Sequence, residues 1–140
     1  MTQTTLTIDT PGRALIDFTD QVERVIKDSR IERGLCHVFL QHTSASLLIN
    51  ENADPDVLTD LETFMSGLVS DGDRRFVHTT EGPDDMSAHV RAALTQTSLS
   101  IPFSNGKLSL GTWQGLFLWE HRYRPHQRRL IVSLTPIDQS

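Results

Sequence analysis

With 140 residues, 37% of them hydrophobic and 22% charged, the chain has the composition of one globular domain spanning residues 1–140 with its own core. Its net charge of −5 argues against general nucleic-acid binding, and its single cysteine, Cys36, excludes an internal disulfide and a cysteine-based zinc knuckle. No apolar run reaches membrane-spanning length and Met1 to Thr5 lacks the regions of a signal peptide, so the expectation is a cytoplasmic protein with no membrane partner.

Thr4 to Ile8 alternates and reads as a first strand. After Pro11-Gly12, the residues Phe18, Val22, Val25 and Ile26 recur at helical spacing, with Thr19 or Asp20 as cap and Gly34 closing the region. Leu35 to Gln41 is an apolar run that reads as a buried strand, with Cys36 as a core residue rather than a nucleophile. Ser46 to Asn50 reads as another strand. Asp54-Pro55 places a capping residue before a proline and opens a second helix. Its stripe of Val57, Leu58, Leu61, Phe64, Met65, Leu68 and Val69 reads as a core face.

Asp71-Gly72-Asp73 is a turn, Arg75 to His78 reads as a short strand, and a third helix starts near Asp85 with Asp84 or Asp85 as cap. Beyond Ser98 the pattern is sheet. Pro102 within Leu99 to Phe103 marks an edge or a bulge, and Asn105-Gly106 turns a hairpin into Lys107 to Leu110. Gly115 to Tyr123 and Arg128 to Thr135 read as a further hairpin. On the first of these, Leu116, Leu118, Glu120 and Arg122 share one face and Phe117, Trp119, His121 and Tyr123 the other. Both faces begin apolar, so helices are expected on one side and a neighbouring subunit on the other. The expected fold class is α+β, a compact domain of mostly antiparallel sheet with about three helices.

Polar residues break this pattern in several places. His78-Thr79-Thr80-Glu81-Gly82-Pro83-Asp84-Asp85 leads into the third helix, where Asp85 and His89 lie four apart on one face. A carboxylate and an imidazole so placed can share one metal ion, or can form a hydrogen-bonded pair. Gln41-His42-Thr43-Ser44-Ala45-Ser46 interrupts two apolar runs, as a bulge or a ligand site would, and no Gly-x-Ser-x-Gly elbow makes Ser44 a nucleophile. Glu51 and Asn52 precede the Asp54 cap in a polar loop. Trp113, between Gly111 and Gly115, suits either core packing or stacking on an aromatic ligand. Glu120 among leucines demands a cation or a metal. Arg122, Arg124, Arg128 and Arg129 crowd one segment and suit a phosphate or a solvated tip.

Taken in order, Gln41 to Ser46, Asn50 to Asp54, His78 to His89, Gly106 to Gln114 and Glu120-His121-Arg122 resemble the motifs of the YjbQ family, also called the secondary thiamine-phosphate synthase or UPF0047 family. The resemblance covers essentially the whole chain. It implies a compact α+β fold, assembly as a homotrimer, and a divalent metal held through histidines, zinc first and magnesium as the alternative. It further implies a weak thiamine-phosphate synthase activity, which joins hydroxymethylpyrimidine diphosphate to a thiazole phosphate and releases pyrophosphate. The matching positions put His42, His78 and His89 on the metal, with Asp84, Asp85 and Glu120 nearby. Glu51 or Glu120 then serves as acid, base or orienting group, while Ser44, Trp113 and Arg122 join Asp84 and Asp85 around a phosphorylated small molecule. A non-catalytic metal-dependent binding protein and a metal-dependent hydrolase are the competing readings of the same residues.

Overall fold

The computed structural model describes residues 1–138. Its elements run β1 (Thr2–Thr10), β2 (Ala14–Asp17), α1 (Thr19–Ser29), β3 (Arg33–Leu40), β4 (Ala45–Glu51), α2 (Pro55–Leu68), α3 (Asp85–Leu94), β5 (Ser98–Ser104), β6 (Lys107–Leu108), β7 (Gln114–Glu120) and β8 (His126–Pro136). The strands form two sheets, ordered β1-β8-β3-β5-β6 and β2-β7-β4, and every pairing is antiparallel. This is the α+β architecture the sequence pattern predicts.

The main core lies between the sheets. Cys36, Val38 and Leu40 of β3 and Leu130, Val132 and Leu134 of β8 meet Leu47 of β4 and Leu116 and Leu118 of β7. Phe18, Val22 and Ile26 bring α1 onto the same core. Each such side chain contributes about 1.5–3 kcal/mol when fully buried. A smaller cluster of Met65, Val69 and Trp119 packs α2 and its exit against the outer face of the three-stranded sheet. The strand β7 is therefore covered on both faces, as its two apolar rows require. Helices and the second sheet of the same chain do the covering, not a neighbouring subunit.

Local signals are realised where they are self-contained. The Asp54 carboxylate accepts the Asp56 N–H at 2.9 Å and caps α2. Asn105 and Gly106 both take positive φ, 54° and 75°, the conformation of a two-residue hairpin turn. Cys36 is fully buried, and burial pushes its thiol up to about 12, which keeps it an inert core residue.

Other expectations are corrected. The segments β7 and β8 do not form a hairpin, because they belong to different sheets and residues 121–125 carry the chain across. Arg75 to His78 is not a strand but part of a loop. Gly34 lies inside β3, where a Cβ would stand 2.1 Å from the Thr135 carbonyl oxygen of β8; close backbone approach explains it, not a helix end. The strand β3 is buried on one face only, with Leu35 and Phe39 on the other, exposed face. The N-cap position of α1 is Phe18, not Thr19 or Asp20, and makes no side-chain cap bond; Asp17 just before it accepts both the N–H and the hydroxyl of Thr19. Asp17 ends β2, a short strand not expected from the sequence. On α2 only Met65 is buried, and Phe64 and Leu68 are 71% and 60% exposed, so the apolar stripe is broader than the surface this chain offers it. Pro102, by contrast, takes the expected edge position locally: β6 reaches only Phe103 and Ser104, so β5 at Pro102 pairs with β3 on one side and with no strand on the other.

Candidate metal centre and its surroundings

The loop between α2 and α3 brings His78 back over the start of α3. His78 Nε2, an Asp85 carboxylate oxygen and a ring nitrogen of His89 all lie within 4.8 Å of one another. The His78 Nε2–H donates to Asp85 Oδ2 at 2.7 Å, and His89 Nε2 lies 3.2 Å from the same oxygen. Helical spacing makes this possible, since residues four apart share a face. The Asp85 side chain is only 3% exposed, while those of His78 and His89 are 41% and 35% exposed. A nearly buried carboxylate thus sits beneath two accessible imidazoles.

Arg122 fixes that carboxylate from the other side. Its Nη1 donates to Asp85 Oδ1 at 2.6 Å, its Nε donates to Asp84 Oδ2 at 3.1 Å, and its Nη2 donates to the Glu81 carbonyl at 3.0 Å. Asp84 occupies the N-cap position of α3 but makes no side-chain cap bond there; its carboxylate accepts from Arg122 and from the Tyr123 N–H. Burial alone would raise the Asp85 pKa, but the hydrogen bonds and the Arg122 charge outweigh it and hold the carboxyl below its usual range. Two cavities flank this loop. One, of about 450 Å³, is lined by Phe76, His78, Pro83 and Met86 among others; the second, of about 560 Å³, is lined by Thr80, Glu81, Gly82, Arg122, Arg124 and His126.

A second polar cluster lies on the inner face of β7. Glu120 is fully buried and its carboxylate accepts from Arg128 Nε at 2.8 Å, from the Thr10 hydroxyl at 2.8 Å and from the Arg122 backbone N–H at 3.1 Å. The cation that its burial demands is therefore Arg128. Arg128 also donates to the Ser44 hydroxyl at 2.9 Å. His42 lies beside this cluster. Its Nε2 accepts the Arg129 backbone N–H at 2.9 Å, and burial together with Arg128 and Arg129 lowers its pKa. Among the described residues His42 joins no metal-ligating group, and His78 and His89 are joined by Asp85 instead.

His121 faces the opposite side of the sheet from Glu120, as strand alternation requires. It is fully buried, its Nε2 bonds to the Ser46 hydroxyl at 2.8 Å, and burial with the nearby Arg91 and Arg13 charges lowers it to about 3. It stays neutral at ordinary pH and serves packing against Trp119.

Glu51 and Trp113 fall elsewhere. Glu51 pairs with Gln114 and Ala45 with Glu120, so Glu51 and Trp113 lie at the far end of the three-stranded sheet. Six residues at the ordinary strand rise put that end about 20 Å from Glu120. Glu51 accepts the Asp54 N–H at 3.3 Å, and Trp113 is 62% exposed. Within one chain, the candidates gather at one end of the sheet except for these two. Sequence reading missed Arg13 and Asp71, whose partners lie far away along the chain and leave no local signal.

The comparisons with known proteins bear on family and fold. A family model described as "UPF0047 protein YjbQ-like" matches residues 4–136. A UPF0047 protein of Synechocystis sp. is 57% identical over 133 residues, covering 95% of this chain and 90% of that protein. The UPF0047 protein YjbQ of Escherichia coli is 42% identical over 133 residues, covering 94% and 96%. Among solved structures, a hypothetical protein of Aeropyrum pernix K1 superposes with a TM-score of 0.88 at 28% identity, covering 98% of this chain and all of that one. No helix of the described residues is long and apolar enough to cross a membrane. By sequence match and by fold, the chain belongs to the YjbQ-like UPF0047 family.

Proposed function

We propose that this protein is a metal-binding enzyme acting on a phosphorylated small molecule, with thiamine-phosphate synthase activity as the reaction the family resemblance adds. The observation that carries the reading is the convergence of His78, Asp85 and His89, with His78 on the wall of one of the two cavities beside their loop. Two imidazoles and one carboxylate fit a divalent ion such as zinc, which commonly takes three protein ligands and keeps one position open for water or substrate. When bound there, such an ion supplies Lewis-acid stabilisation of the negative charge that builds on a departing diphosphate. Arg122 orients the Asp85 carboxylate through its other oxygen. Arg124 lines the polar cavity and offers guanidinium donors to phosphate oxygens. Phe76, Pro83 and Met86 give the other cavity an apolar wall for the flat ring of a pyrimidine.

The expected result is pyrophosphate release from hydroxymethylpyrimidine diphosphate and thiazole phosphate by zinc-loaded protein, lost on chelation and restored by metal. Tight binding without turnover supports the binding-protein alternative, and phosphate release from simple esters supports hydrolysis. A homotrimer belongs to the same proposal. The exposed Phe64 and Leu68 favour association, and the number three comes from the family resemblance. Multi-angle light scattering should give three times the 15.8 kDa chain mass; a stable monomer at micromolar concentration contradicts it.

A further inference from the structure

An ionic clamp stands behind the candidate metal centre. Gly12, at φ +127°, lets the loop after β1 approach the Tyr123 backbone so closely that a Cβ would lie 2.4 Å from the Tyr123 carbonyl oxygen. That approach delivers Arg13. Its guanidinium donates to both oxygens of Asp71 at 3.0 Å and to the His121 carbonyl at 3.0 and 2.8 Å. It also stacks over the Tyr123 ring, 4.0 Å from the centroid, and donates to the Tyr123 hydroxyl. The Tyr123 hydroxyl in turn donates to Asp71 at 3.0 Å. Asp71 accepts a further bond from the Ser87 hydroxyl.

Each of these contacts reaches a neighbour of the metal centre. His121 and Tyr123 flank Arg122, the residue whose guanidinium holds Asp85. Ser87 lies on α3 between Asp85 and His89. The Arg13 side chain is only 6% exposed, so its bonds to Asp71 are shielded from solvent and hold their geometry better than a surface pair. A link between two loops would need one such contact; this one ties both sides of the carboxylate's support to a single aspartate.

We propose that Arg13, Asp71 and Tyr123 are positioning residues that set the spacing between Arg122 and α3, and so preorganise Asp85 with His78 and His89 for a divalent metal. The proposal rests on the metal-binding reading above. Outer-shell partners of metal ligands are worth 10–100-fold in affinity, and this clamp acts one step further out. Asp71→Asn and Tyr123→Phe should therefore each weaken metal binding by about tenfold. Asp71→Glu, which restores the carboxylate, should recover part of the loss.

The experiment is a cobalt(II) titration of the full chain, followed by its visible absorption band, with thermal unfolding of the metal-free protein measured alongside. Weaker binding with an altered band, in variants that remain folded at the assay temperature, is the expected result. Tyr123→Phe removes one oxygen from a mostly exposed side chain and gives the cleaner folding control. A lower melting temperature with unchanged cobalt affinity and band would make the clamp purely structural and overturn the proposal. If the wild-type chain takes up no cobalt at this centre, the metal-binding reading falls and the proposal with it.

Discussion

Replacing Glu120 by leucine should destabilise the protein by about 3–5 kcal/mol, the usual result of stranding a buried charge. Glu120 is fully buried and Arg128 is 3% exposed, so removing the carboxylate leaves a guanidinium that water cannot reach. The Arg122 N–H loses its acceptor in the same step, and the Thr10 hydroxyl keeps only the His126 carbonyl. The double change Glu120→Leu with Arg128→Met should cost less than the single one, because apolar replacement of both members of a buried pair is often neutral. Urea unfolding of the three proteins tests this. A single-mutant loss below about 1 kcal/mol, the scale of an exposed pair, would mean that the pair is solvated. The same series bears on the acid or base role that the sequence motif suggests for Glu120. A carboxylate held by Arg128, Thr10 and a backbone N–H inside the sheet interface is committed to structure, and its nearest route to the candidate metal centre is through Arg122.

The second large effect concerns the metal. His89→Ala and His78→Ala should each lower zinc affinity by more than about a hundredfold, beyond the 10–100-fold typical of outer-shell partners. Both side chains are more than a third exposed, so neither change leaves a large cavity. His42→Ala should leave zinc affinity unchanged, since that ring accepts a main-chain N–H from Arg129 and stands outside the group formed by His78, Asp85 and His89. Competition against a coloured chelator reads all three. Full metal retention by the His78→Ala and His89→Ala double mutant would remove the centre. Metal loss in His42→Ala would instead bring that histidine into the metal shell across a subunit boundary.

The sequence by itself determined what depends on neighbouring residues. The Asp54-Pro55 helix start, the Asn105-Gly106 turn and the two apolar rows of Gly115 to Glu120 all act over a few residues, and all appear where expected. Helical periodicity likewise places Asp85 and His89 on one face. Tertiary structure decided which surfaces those elements meet. Strand alternation says that β7 is covered twice but not by what, so the expected hairpin with β8 gave way to strands in separate sheets. The stripe on α2 records how apolar the helix is, not how much of it this chain buries. Burial of Glu120 predicts a counter-charge, yet only the packing of the two sheets names Arg128. Glu51, Trp113 and His42 sit in motifs as well marked as that of His89, and the strand rise that carries two of them about 20 Å away is invisible until the pairing register is known. Arg13 and Asp71 are the converse case: no motif announces them, because their hydrogen bonds close over 58 residues of chain and exist only once the loops are brought together.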